Sequence, residues 1–479
     1  MPDMYDLVIL GSGSTAFAAA IRAQDLGKRV VMTESRTVGG TCVNRGCLPS
    51  KNLIEAAKLV FDARHPRYPG LRGAELGLDF GALIAQKDEV IAAYREKKYL
   101  SLVDGDVTIE QGRARLVDTH TVELDGPEGV KHLRGDQVLI ALGSVPLRPE
   151  IPGLTNTAYL SSDLLTSQED MELRELPSSL LILGGGYIAV ELGQMFSRFG
   201  TEVTILTRGG RLLSAYEPEI GYTLQDILEA EGIHVVTDAR ISHVRPCGGS
   251  IVATAATAGR ETQITAAKLL VAAGRAPNTA DVGLEQVGVQ MNDRGAVVVD
   301  EQLRTSVPPI WAAGDVVGGE QDSQMATPVG AHDGTIAAHN ALSGEMPRRV
   351  DHRVIPRAVF TDPQIGVVGL TDEEAQATGR RCWCSTIPME LVPRAGAIRD
   401  IRGVIKMVAD AQTNEVLGVS MLGVQAGEVI HEAAMGMRFH ATIDDFIDMV
   451  HVYPTMAEAL KIVAISRYKD PRRLSCCAE

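Results

Sequence analysis

Hydrophobic and polar positions in the first 34 residues predict a strand, a helix and a second strand. Residues 5–10 form an apolar run, an alanine-rich helical pattern continues to residue 26, and residues 29–34 form another apolar run. The turn before the helix reads Gly-Ser-Gly-Ser-Thr-Ala. Its glycines let backbone N–H groups approach a pyrophosphate at the helix N-terminus, and an acid about 20 residues further on accepts from a ribose hydroxyl. The predicted contacts are Gly11, Ser12, Gly13, Ser14, Thr15, Ala16, Glu34, Ser35 and Arg36.

The same order of elements returns in the middle of the chain. Residues 179–183 predict a strand, a helix ends at residue 199, and residues 202–206 predict a second strand, with Gly-Gly-Gly-Tyr-Ile-Ala in the first turn. One such turn is weak evidence, but two complete units predict two dinucleotide sites. A chain that binds both a flavin and a nicotinamide cofactor is the simplest interpretation. The contacts predicted here are Gly184, Gly186, Tyr187 and Ile188.

The loop after the second unit bears on the choice of nicotinamide cofactor. An NAD enzyme usually has an acid there, whereas this chain has Arg208 and Arg211. Arginine accommodates a 2′-phosphate that a carboxylate would repel, so we expect NADPH. The alternative is that both arginines are solvated loop charges.

Composition narrows the classes of function. A net charge of −15 argues against nucleic acid as a partner. The chain has no run of about 18 apolar residues that would predict a membrane span, and its N-terminus lacks the basic region of a signal peptide. Seven cysteines in 479 residues are too few for a disulfide scaffold, so we expect a cytoplasmic protein whose thiols are kept for chemistry.

Cys42 and Cys47, called here the inner pair, lie in the segment Gly-Gly-Thr-Cys-Val-Asn-Arg-Gly-Cys-Leu-Pro-Ser-Lys at 39–51. A lone C-x4-C could be half a zinc site or two buried thiols. This one follows a dinucleotide unit, where a flavin ring would lie. With its glycines, Pro49 and Lys51 it resembles the redox-active disulfide of the pyridine nucleotide–disulfide oxidoreductases. Side chains five apart on an ideal helix point about 140° apart, so the sulfurs need an irregular helix start to meet.

The resemblance implies FAD and NADPH as cofactors and a role for each residue of the site. Cys47 is implied to lie nearer the flavin, as the charge-transfer thiol, and Cys42 to be the interchange thiol that meets the substrate. Lys51 and Glu191 are implied to pair near the flavin, and Tyr187 to cover it until nicotinamide enters. A surface ion pair and a packed aromatic are the alternatives. The resemblance further implies contacts to the cofactors from Gly40, Thr41, Ala114, Gly143, Asp315, Thr327, Gly274 and Arg275.

The predicted fold class is α/β, with two Rossmann-like dinucleotide-binding domains, for FAD and NADPH, and a C-terminal α+β dimerisation domain. Apolar runs that end in glycine at 143 and 274 resemble the points where the chain passes between the first two domains. The predicted bounds are 1–150 for the first part of the FAD domain, 151–273 for the NADPH domain, 274–345 for the central FAD-binding part and 346–479 for the dimerisation domain with its tail. The last domain is predicted to hold strands at 359–363, 403–408 and 416–422, then helices near 427–439 and 455–467.

The segment at 451–458 reads His-Val-Tyr-Pro-Thr-Met-Ala-Glu. Disulfide reductases of the family carry His-Pro-Thr-x-x-Glu, whose histidine moves the proton in thiol–disulfide exchange. Tyr453 stands at that position, and a phenol with a pKa near 10 is a poor base at pH 7. His451 would point elsewhere if the segment is extended. Reduction of glutathione disulfide or lipoamide is therefore disfavoured.

Tyr453, Lys98-Tyr99, the Leu-Val-Pro-Arg-Ala segment at 391–395 and the adjacent Cys476 and Cys477, called here the tail pair, resemble the mercuric reductases of this family. The resemblance extends from residue 5 to residue 477. Many mercuric reductases carry an N-terminal metal-binding module with its own C-x-x-C. This sequence begins directly at the flavin domain, so we do not expect metal delivery from a fused module.

The resemblance implies a homodimer that uses NADPH and FAD to reduce Hg(II), supplied as a thiol complex, to elemental mercury. The tail pair of one subunit is implied to pass Hg(II) to the inner pair of the other, with Tyr99 and Tyr453 lining the transfer site. Thiolates are suitable ligands for a soft cation. Two alternatives stay open. A thioredoxin-reductase-like dithiol relay would retain the histidine, and a flavin-bearing protein that sequesters soft metal would show no turnover.

Three cysteines match no predicted site. Cys382 and Cys384 could ligate a metal, but alternation along a strand puts both on one face, and we favour a structural role. Cys247 receives no assignment.

Overall fold

In the computed structural model of the protein, residues 4–103, 107–166, 173–257, 259–318 and 323–473 are described. The first βαβ unit consists of β1 (Met4–Leu10), α1 (Ser14–Asp25) and β2 (Val30–Glu34), as the hydrophobic pattern predicts. Within the described residues, none of the helices is long and apolar enough to cross a membrane. The region continues with α2 (Gly40–Asn44), α3 (Cys47–Arg64), α4 (Phe80–Lys98), β3 (Val107–Gln111), β4 (Arg113–Leu116), β5 (Thr121–Gly126), β6 (Gly129–Ile140) and β7 (Ser144–Pro146).

The first sheet has the order β3-β2-β1-β6-β5-β4, and β17 (Ile310–Ala312) also pairs with β6. Strands β3, β2, β1, β6 and β17 are parallel, whereas β4, β5 and β6 form an antiparallel meander. Residues 7–10 of β1 are fully buried. A parallel strand covered on both faces has a continuous apolar sequence, which is why residues 5–10 show no clear alternation.

The second dinucleotide unit has the predicted bounds, with β8 (Ser179–Leu183), α5 (Tyr187–Phe199) and β9 (Glu202–Leu206). A four-stranded parallel sheet has the order β10-β9-β8-β14, and β11, β12 and β13 form a separate meander. The other elements of this second region are α6 (Pro218–Ala230), β10 (His234–Val236), β11 (Arg240–Cys247), β12 (Ser250–Thr257), β13 (Arg260–Ala266) and β14 (Lys268–Val271).

The chain then returns to the first domain. The antiparallel pairing of β7 with β15 (Arg275–Pro277) joins the two crossing segments. Helix α7 (Thr327–Leu342) packs along α1, where a side chain at Gly330 or Gly334 would collide with Thr15. The short strands β16 (Val297–Val298) and β18 (Val317–Gly318) complete this part. Both dinucleotide-binding units therefore meet at the β7–β15 crossing.

The last region is an antiparallel sheet of order β19-β20-β23-β22-β21 with helices packed against it. The predicted strand at 359–363 is wrong, because one strand ends at Val359 and the next begins after Pro363, whose ring nitrogen cannot donate to a sheet. The α/β fold class with a C-terminal α+β domain is confirmed. The elements are β19 (Arg357–Val359), β20 (Gln364–Gly369), α8 (Asp372–Ala377), β21 (Cys382–Pro388), α9 (Pro393–Ala397), β22 (Val404–Asp410), β23 (Val416–Gly423), α10 (Ala426–Arg438), α11 (Ile443–Asp448) and α12 (Glu458–Ile465).

Candidate active site

The inner pair lies where two helices meet. Cys42 belongs to α2, which ends at Asn44, and Cys47 is the first residue of α3. Arg45 and Gly46 leave helical geometry, with φ/ψ of −146°/0° and −119°/−107°. This break is the irregular helix start that the spacing of the cysteines requires. Both cysteines are free thiols, and their sulfurs are hydrogen-bonded to each other.

The two thiols of the inner pair differ in acidity. The pKa of Cys47 is lowered to about 6, chiefly by a hydrogen bond from Cys42 and then by the charge of Lys51 and a hydrogen bond with Thr327, against the effect of burial. The same sulfur–sulfur hydrogen bond raises the pKa of Cys42, and burial and the negative charge on Cys47 raise it as well. Cys47 Sγ lies 3.8 Å from Thr327 Oγ1. At neutral pH the pair therefore carries a thiolate on Cys47 and a proton on Cys42.

The turn before the inner pair is held by a buried amide. Asn44 Nδ2 donates to the carbonyl oxygens of Val38 at 3.0 Å and Gly40 at 2.9 Å. Its Oδ1 accepts from Arg95 Nη1 of α4 at 3.0 Å. Because every polar atom of this side chain is bonded, α2 and the preceding turn are fixed relative to α4.

The predicted pair of Lys51 and Glu191 is present. Lys51 Nζ donates to Glu191 Oε2 at 2.6 Å, and the Glu191 side chain is only 4% exposed. Lys51 lies one turn along α3 from Cys47, whereas Glu191 comes from α5 of the second dinucleotide unit. The ion pair therefore joins the two units beside the inner pair.

The first groove fits a dinucleotide. Helix α1 begins after Gly13 without a side-chain cap, so its first N–H groups are open to an anion. A Cβ on Gly40, whose φ is +68°, would lie 2.6 Å from Gly13 Cα, so the close approach of these two turns requires glycine. Glu34 Oε2 accepts from Ser12 Oγ at 2.6 Å at the end of β2, where the sequence predicts a ribose contact. The predicted residues that line this groove are Gly11, Ser12, Gly13, Ser14, Thr15, Glu34, Ser35, Arg36, Gly40, Thr41, Ala114, Gly143, Asp315 and Thr327.

One predicted contact is corrected, and several lining residues were missed. The Ala16 side chain is fully buried and packs in the core of the first domain, where its small size lets α1 lie close to the sheet. Arg45, Arg113, Ser144 and Asn278 also line the groove. Except for Arg45, which belongs to the C-x4-C segment, they lie outside any recognisable motif: Arg113 and Ser144 begin β4 and β7, and Asn278 follows β15.

A hydrogen-bonded chain connects the first groove with the second. Asp315 Oδ2 accepts from Ser144 Oγ at 2.8 Å. Arg275 Nε donates to the same hydroxyl at 2.8 Å, and Arg275 Nη2 donates to the Ser144 carbonyl at 2.6 Å. Ser144 and Arg275 begin the two crossing strands, so this chain fixes the junction of the two units.

The second groove, like the first, is bordered by the N-terminus of an uncapped helix. Helix α5 begins after Gly186 without a side-chain cap, and a Cβ at Gly186 would meet open space. Tyr187, the first residue of the helix, is 40% exposed and faces the groove. An uncapped helix of this length presents its N-terminal N–H groups to a pyrophosphate. The predicted residues that line it are Gly184, Gly186, Tyr187, Ile188, Arg208, Gly274 and Arg275.

The two loop arginines have different surroundings. Arg208 is exposed and lines the second groove. Arg211 Nη2 donates instead to the carbonyls of Ser214 at 3.0 Å and Tyr216 at 2.8 Å, so its guanidinium holds its own loop together outside that lining. Arg240, the first residue of β11, also lines the groove, although no motif in the sequence points to it.

The two tyrosines predicted to line the transfer site lie in different domains. Tyr99 lies beside the first groove, with its hydroxyl 3.2 Å from Ser14 Oγ, and desolvation raises its pKa. Tyr453 lies in the C-terminal domain and is 46% exposed. His451 points elsewhere, as predicted: its side chain is 4% exposed, and its Nε2 lies 2.9 Å from Glu432 Oε1, a contact that raises the pKa of His451.

The remaining cysteines form no described metal centre. The tail pair, Cys476 and Cys477, lies outside the described residues. Cys382 and Cys384 pack against one small apolar cluster, and burial together with Asp372 raises the pKa of Cys384 to about 12. Cys247 is exposed. Across the described parts of the chain, no group of three or more histidine, cysteine or acidic residues is placed to hold a metal ion.

The chain is similar over most of its length to known proteins. Residues 5–337 match the family described as pyridine nucleotide-disulphide oxidoreductase, and residues 355–464 match the dimerisation domain of that family. Mercuric reductase of Streptomyces lividans is 43% identical over 483 residues, which cover 99% of this chain and 98% of that protein. Mercuric reductase of Staphylococcus aureus is 40% identical over 475 residues, or 99% of this chain and 84% of that protein. The structure of the Cu(II) complex of HOCl-induced flavoprotein disulfide reductase RclA from Escherichia coli matches with a TM-score of 0.85 and 32% identity, covering 98% of this chain and 100% of that one.

Proposed function

Because the chain belongs to the pyridine nucleotide-disulphide oxidoreductase family, whose cofactors are FAD and NADPH, we propose that it is a mercuric reductase. It takes Hg(II) from a soluble thiol complex and reduces it to elemental mercury at the inner pair. The observation that carries the choice of substrate is the arrangement at 451–453, where Tyr453 is exposed and the side chain of His451 is buried against Glu432. Full-length similarity to mercuric reductases supports the same choice.

The unequal acidity of the inner pair suits ligand exchange on a two-coordinate soft cation. In the proposed sequence the Cys47 thiolate forms the first bond to Hg(II), rather than the Cys42 thiol that the resemblance implies, because the thiolate is the nucleophile, and one thiolate of the incoming complex leaves. Cys42 forms the second bond and gives its proton to the second leaving thiolate. The exchange needs no separate base, which is consistent with tyrosine at 453. Bound FAD supplies the two electrons that it receives from NADPH as hydride.

The surrounding residues keep Hg(II) on the inner pair during this exchange. The ammonium of Lys51 favours the thiolate form of Cys47, and the Thr327 hydroxyl donates toward the same sulfur. Tyr99 lies beside the turn that precedes Cys42. The match to a dimerisation domain supports a homodimer. Within it, we propose, the tail pair of one subunit serves the inner pair of the other.

A second candidate is reduction of a disulfide or of Cu(II), because a structural relative that spans 98% of this chain is described as a flavoprotein disulfide reductase in complex with Cu(II). The two candidates are separated by a substrate panel. NADPH oxidation by the purified holoenzyme is measured with Hg(II) in the presence of excess thiol, with Cu(II) in the absence of thiol, which would itself reduce Cu(II), and with glutathione disulfide. We expect oxidation that depends on Hg(II) and is at least about tenfold faster than with the others. Faster turnover of Cu(II) or disulfide would reject mercury as the substrate.

The two thiols of the inner pair should differ in pKa, with the lower pKa on Cys47. In the two-electron-reduced holoenzyme, the long-wavelength absorbance of the Cys47 thiolate against flavin should be present above pH 6 and lost as the pH falls through about 6. Cys42→Ala and Cys42→Ser cannot form the disulfide that takes up the two electrons, so these variants are titrated with the flavin oxidised. Cys42→Ala removes the largest stabilising contact of the thiolate, so the Cys47 midpoint should rise by about one pKa unit or more. Cys42→Ser keeps a hydroxyl donor and should remain closer to the wild-type midpoint. A wild-type midpoint near the ordinary value of 9.0 would contradict the assignment.

The arginines that line the second groove predict that NADPH is preferred over NADH. Replacing Arg208 and Arg240 by serine should raise the KM for NADPH by at least about tenfold and leave the KM for NADH nearly unchanged, because only NADPH carries the 2′-phosphate. Arg245→Ser, an exposed change on β11 outside the groove lining, is the matched control. Equal increases for both coenzymes would show that the arginines act on folding or on shared parts of the ligand.

A further inference from the structure

Both oxygens of the Glu191 carboxylate are occupied, by donors from two different domains. Oε2 accepts from Lys51 Nζ at 2.6 Å, and Oε1 accepts from the backbone N–H of Phe360 at 2.8 Å. Phe360 lies in the connection between β19 and β20, in the C-terminal sheet. Because both oxygens are bonded within a nearly buried side chain, the carboxylate has a single orientation, and Phe360 takes part in setting it.

Phe360 also contacts Lys51 directly. Lys51 Nζ lies 4.8 Å from the centroid of the Phe360 ring. An ammonium over an aromatic face is attracted by the ring electrons. The ammonium is therefore held by a carboxylate from the nucleotide-binding helix α5 and by a ring from the dimerisation domain.

The connection that carries Phe360 is itself fixed to α5. Asp362 N donates to Gln194 Oε1 at 2.8 Å, and Gln194 Nε2 donates to the Asp362 carbonyl at 2.9 Å. Arg198 Nη2 donates to Asp362 Oδ2 at 3.0 Å. Glu191, Gln194 and Arg198 are spaced by three and four residues, so they occupy one face of the helix.

The charge on Asp362 makes this attachment persistent. Burial alone would raise the pKa of Asp362, but the positive charges of Arg198, Lys58 and Arg402 hold it below the usual value. Arg198 is itself only 3% exposed and is bonded to Glu231 at 2.8 Å. Separating one partner would leave buried charge unpaired, which is strongly unfavourable. The connection therefore has little freedom to move away from Lys51.

We infer that Phe360 is a positioning residue of the redox centre, through which the dimerisation domain holds the Lys51 ammonium beside the inner pair. Its ring orients the ammonium, and its N–H orients the carboxylate that pairs with it. This inference does not depend on the identity of the substrate. It requires only the thiol pair and the Lys51–Glu191 ion pair of the oxidoreductase.

The test measures the titration of Cys47 in the reduced holoenzyme by its long-wavelength absorbance. Phe360→Leu keeps the backbone N–H and removes the ring, so the Cys47 midpoint should rise by about half a pKa unit, as expected for loss of one cation–π contact. Phe360→Tyr keeps the ring and should restore the wild-type midpoint. Lys51→Met removes the ammonium altogether, so the Cys47 midpoint should rise by about one pKa unit or more, which sets the upper limit for the effect of Phe360→Leu. In the Lys51→Met background, Phe360→Leu should have no further effect.

A matched control separates positioning from general destabilisation. Phe446→Leu makes the same change at a buried position of the dimerisation domain, in α11. It should lower the melting temperature at least as much as Phe360→Leu and leave the Cys47 midpoint unchanged. If Phe360→Leu does not retain flavin, Phe360→Met replaces it, since methionine removes the ring face and still fills the site.

An unchanged midpoint in Phe360→Leu, with a shift in Lys51→Met, would overturn the inference. So would an unchanged midpoint in Lys51→Met, or a shift in Phe446→Leu equal to that in Phe360→Leu. None of these measurements uses mercury. Their failure would leave the proposed substrate standing, and failure of the substrate panel would leave the positioning of Lys51 standing.

Discussion

Replacing either member of the inner pair by alanine should lower Hg(II)-dependent NADPH oxidation by more than about 100-fold, since even residues that only support a metal ligand typically cost 10–100-fold. With one sulfur left, Hg(II) cannot form the two-coordinate complex from which it would be reduced. Cys42 is the one member of the inner pair that lines a cofactor groove, and alanine there only removes a sulfur, so reduction of the flavin by NADPH should stay close to the wild-type rate in both variants. Stopped-flow absorbance of the flavin and steady-state oxidation of NADPH measure the two steps separately.

The matched control for these variants is Cys384→Ala. Its thiol is partly buried on β21, its pKa is raised, and it packs in a small cluster away from the inner pair. Activity with Hg(II) should stay within about twofold of wild type, in keeping with a change outside the site. If Cys42→Ala or Cys47→Ala retained most of the Hg(II)-dependent rate, the inner pair would not be the site of reduction.

Deleting residues 474–479, which include the tail pair, should lower turnover of Hg(II) held by bulky or chelating thiols by on the order of 100-fold, because a tethered thiol pair acts at a high effective concentration. Flavin reduction by NADPH should be intact. Small ligands such as bromide should bypass the defect, because their complexes enter the inner site directly. Steady-state rates with a dithiol complex and with the bromide complex provide the comparison.

A mixed dimer tests whether the tail pair acts across subunits. One subunit carries Cys42→Ala and Cys47→Ala, and the other carries Cys476→Ala and Cys477→Ala. If the tail acts in trans, the intact inner pair receives the intact tail of its partner, and activity with thiol complexes survives at about half the wild-type rate. Loss of activity in the mixed dimer would place both pairs in the same subunit.

The hydrophobic pattern predicts the nucleotide-binding units well for a physical reason. In β8, α5 and β9 the apolar runs, the glycine turn and Gly200 after the helix all favour the same boundaries. The segment at 359–363 is different, because its apolar start resembles a strand and only Pro363 breaks the pattern. Val359 still pairs with β20, but Phe360 and Asp362 form hydrogen bonds with side chains of α5 instead, which no local pattern predicts.

The residues of the site also differ in whether the local sequence reveals their roles. The inner pair and Lys51 lie within ten residues of one another, so their spacing is visible in the sequence. Arg240 lies in a later meander, and it lines the second groove only because that meander packs beside β8 and β9. Arg211 lies in the predicted loop, yet two carbonyls of that loop take its guanidinium. Phe360 is more than 150 residues from Glu191, and only the packing of two domains brings them together.

Collecting mercury vapour is the most direct test of the proposed reaction. Purified holoenzyme, NADPH, Hg(II) and excess thiol are sealed without oxygen, and the Hg(0) in the gas phase is measured against the NADPH consumed. We predict one atom of Hg(0) for each NADPH oxidised, and none above background with the Cys47→Ala variant. NADPH oxidation with all mercury retained in solution, or vapour that forms equally without NADPH, would contradict reduction of Hg(II) by this protein.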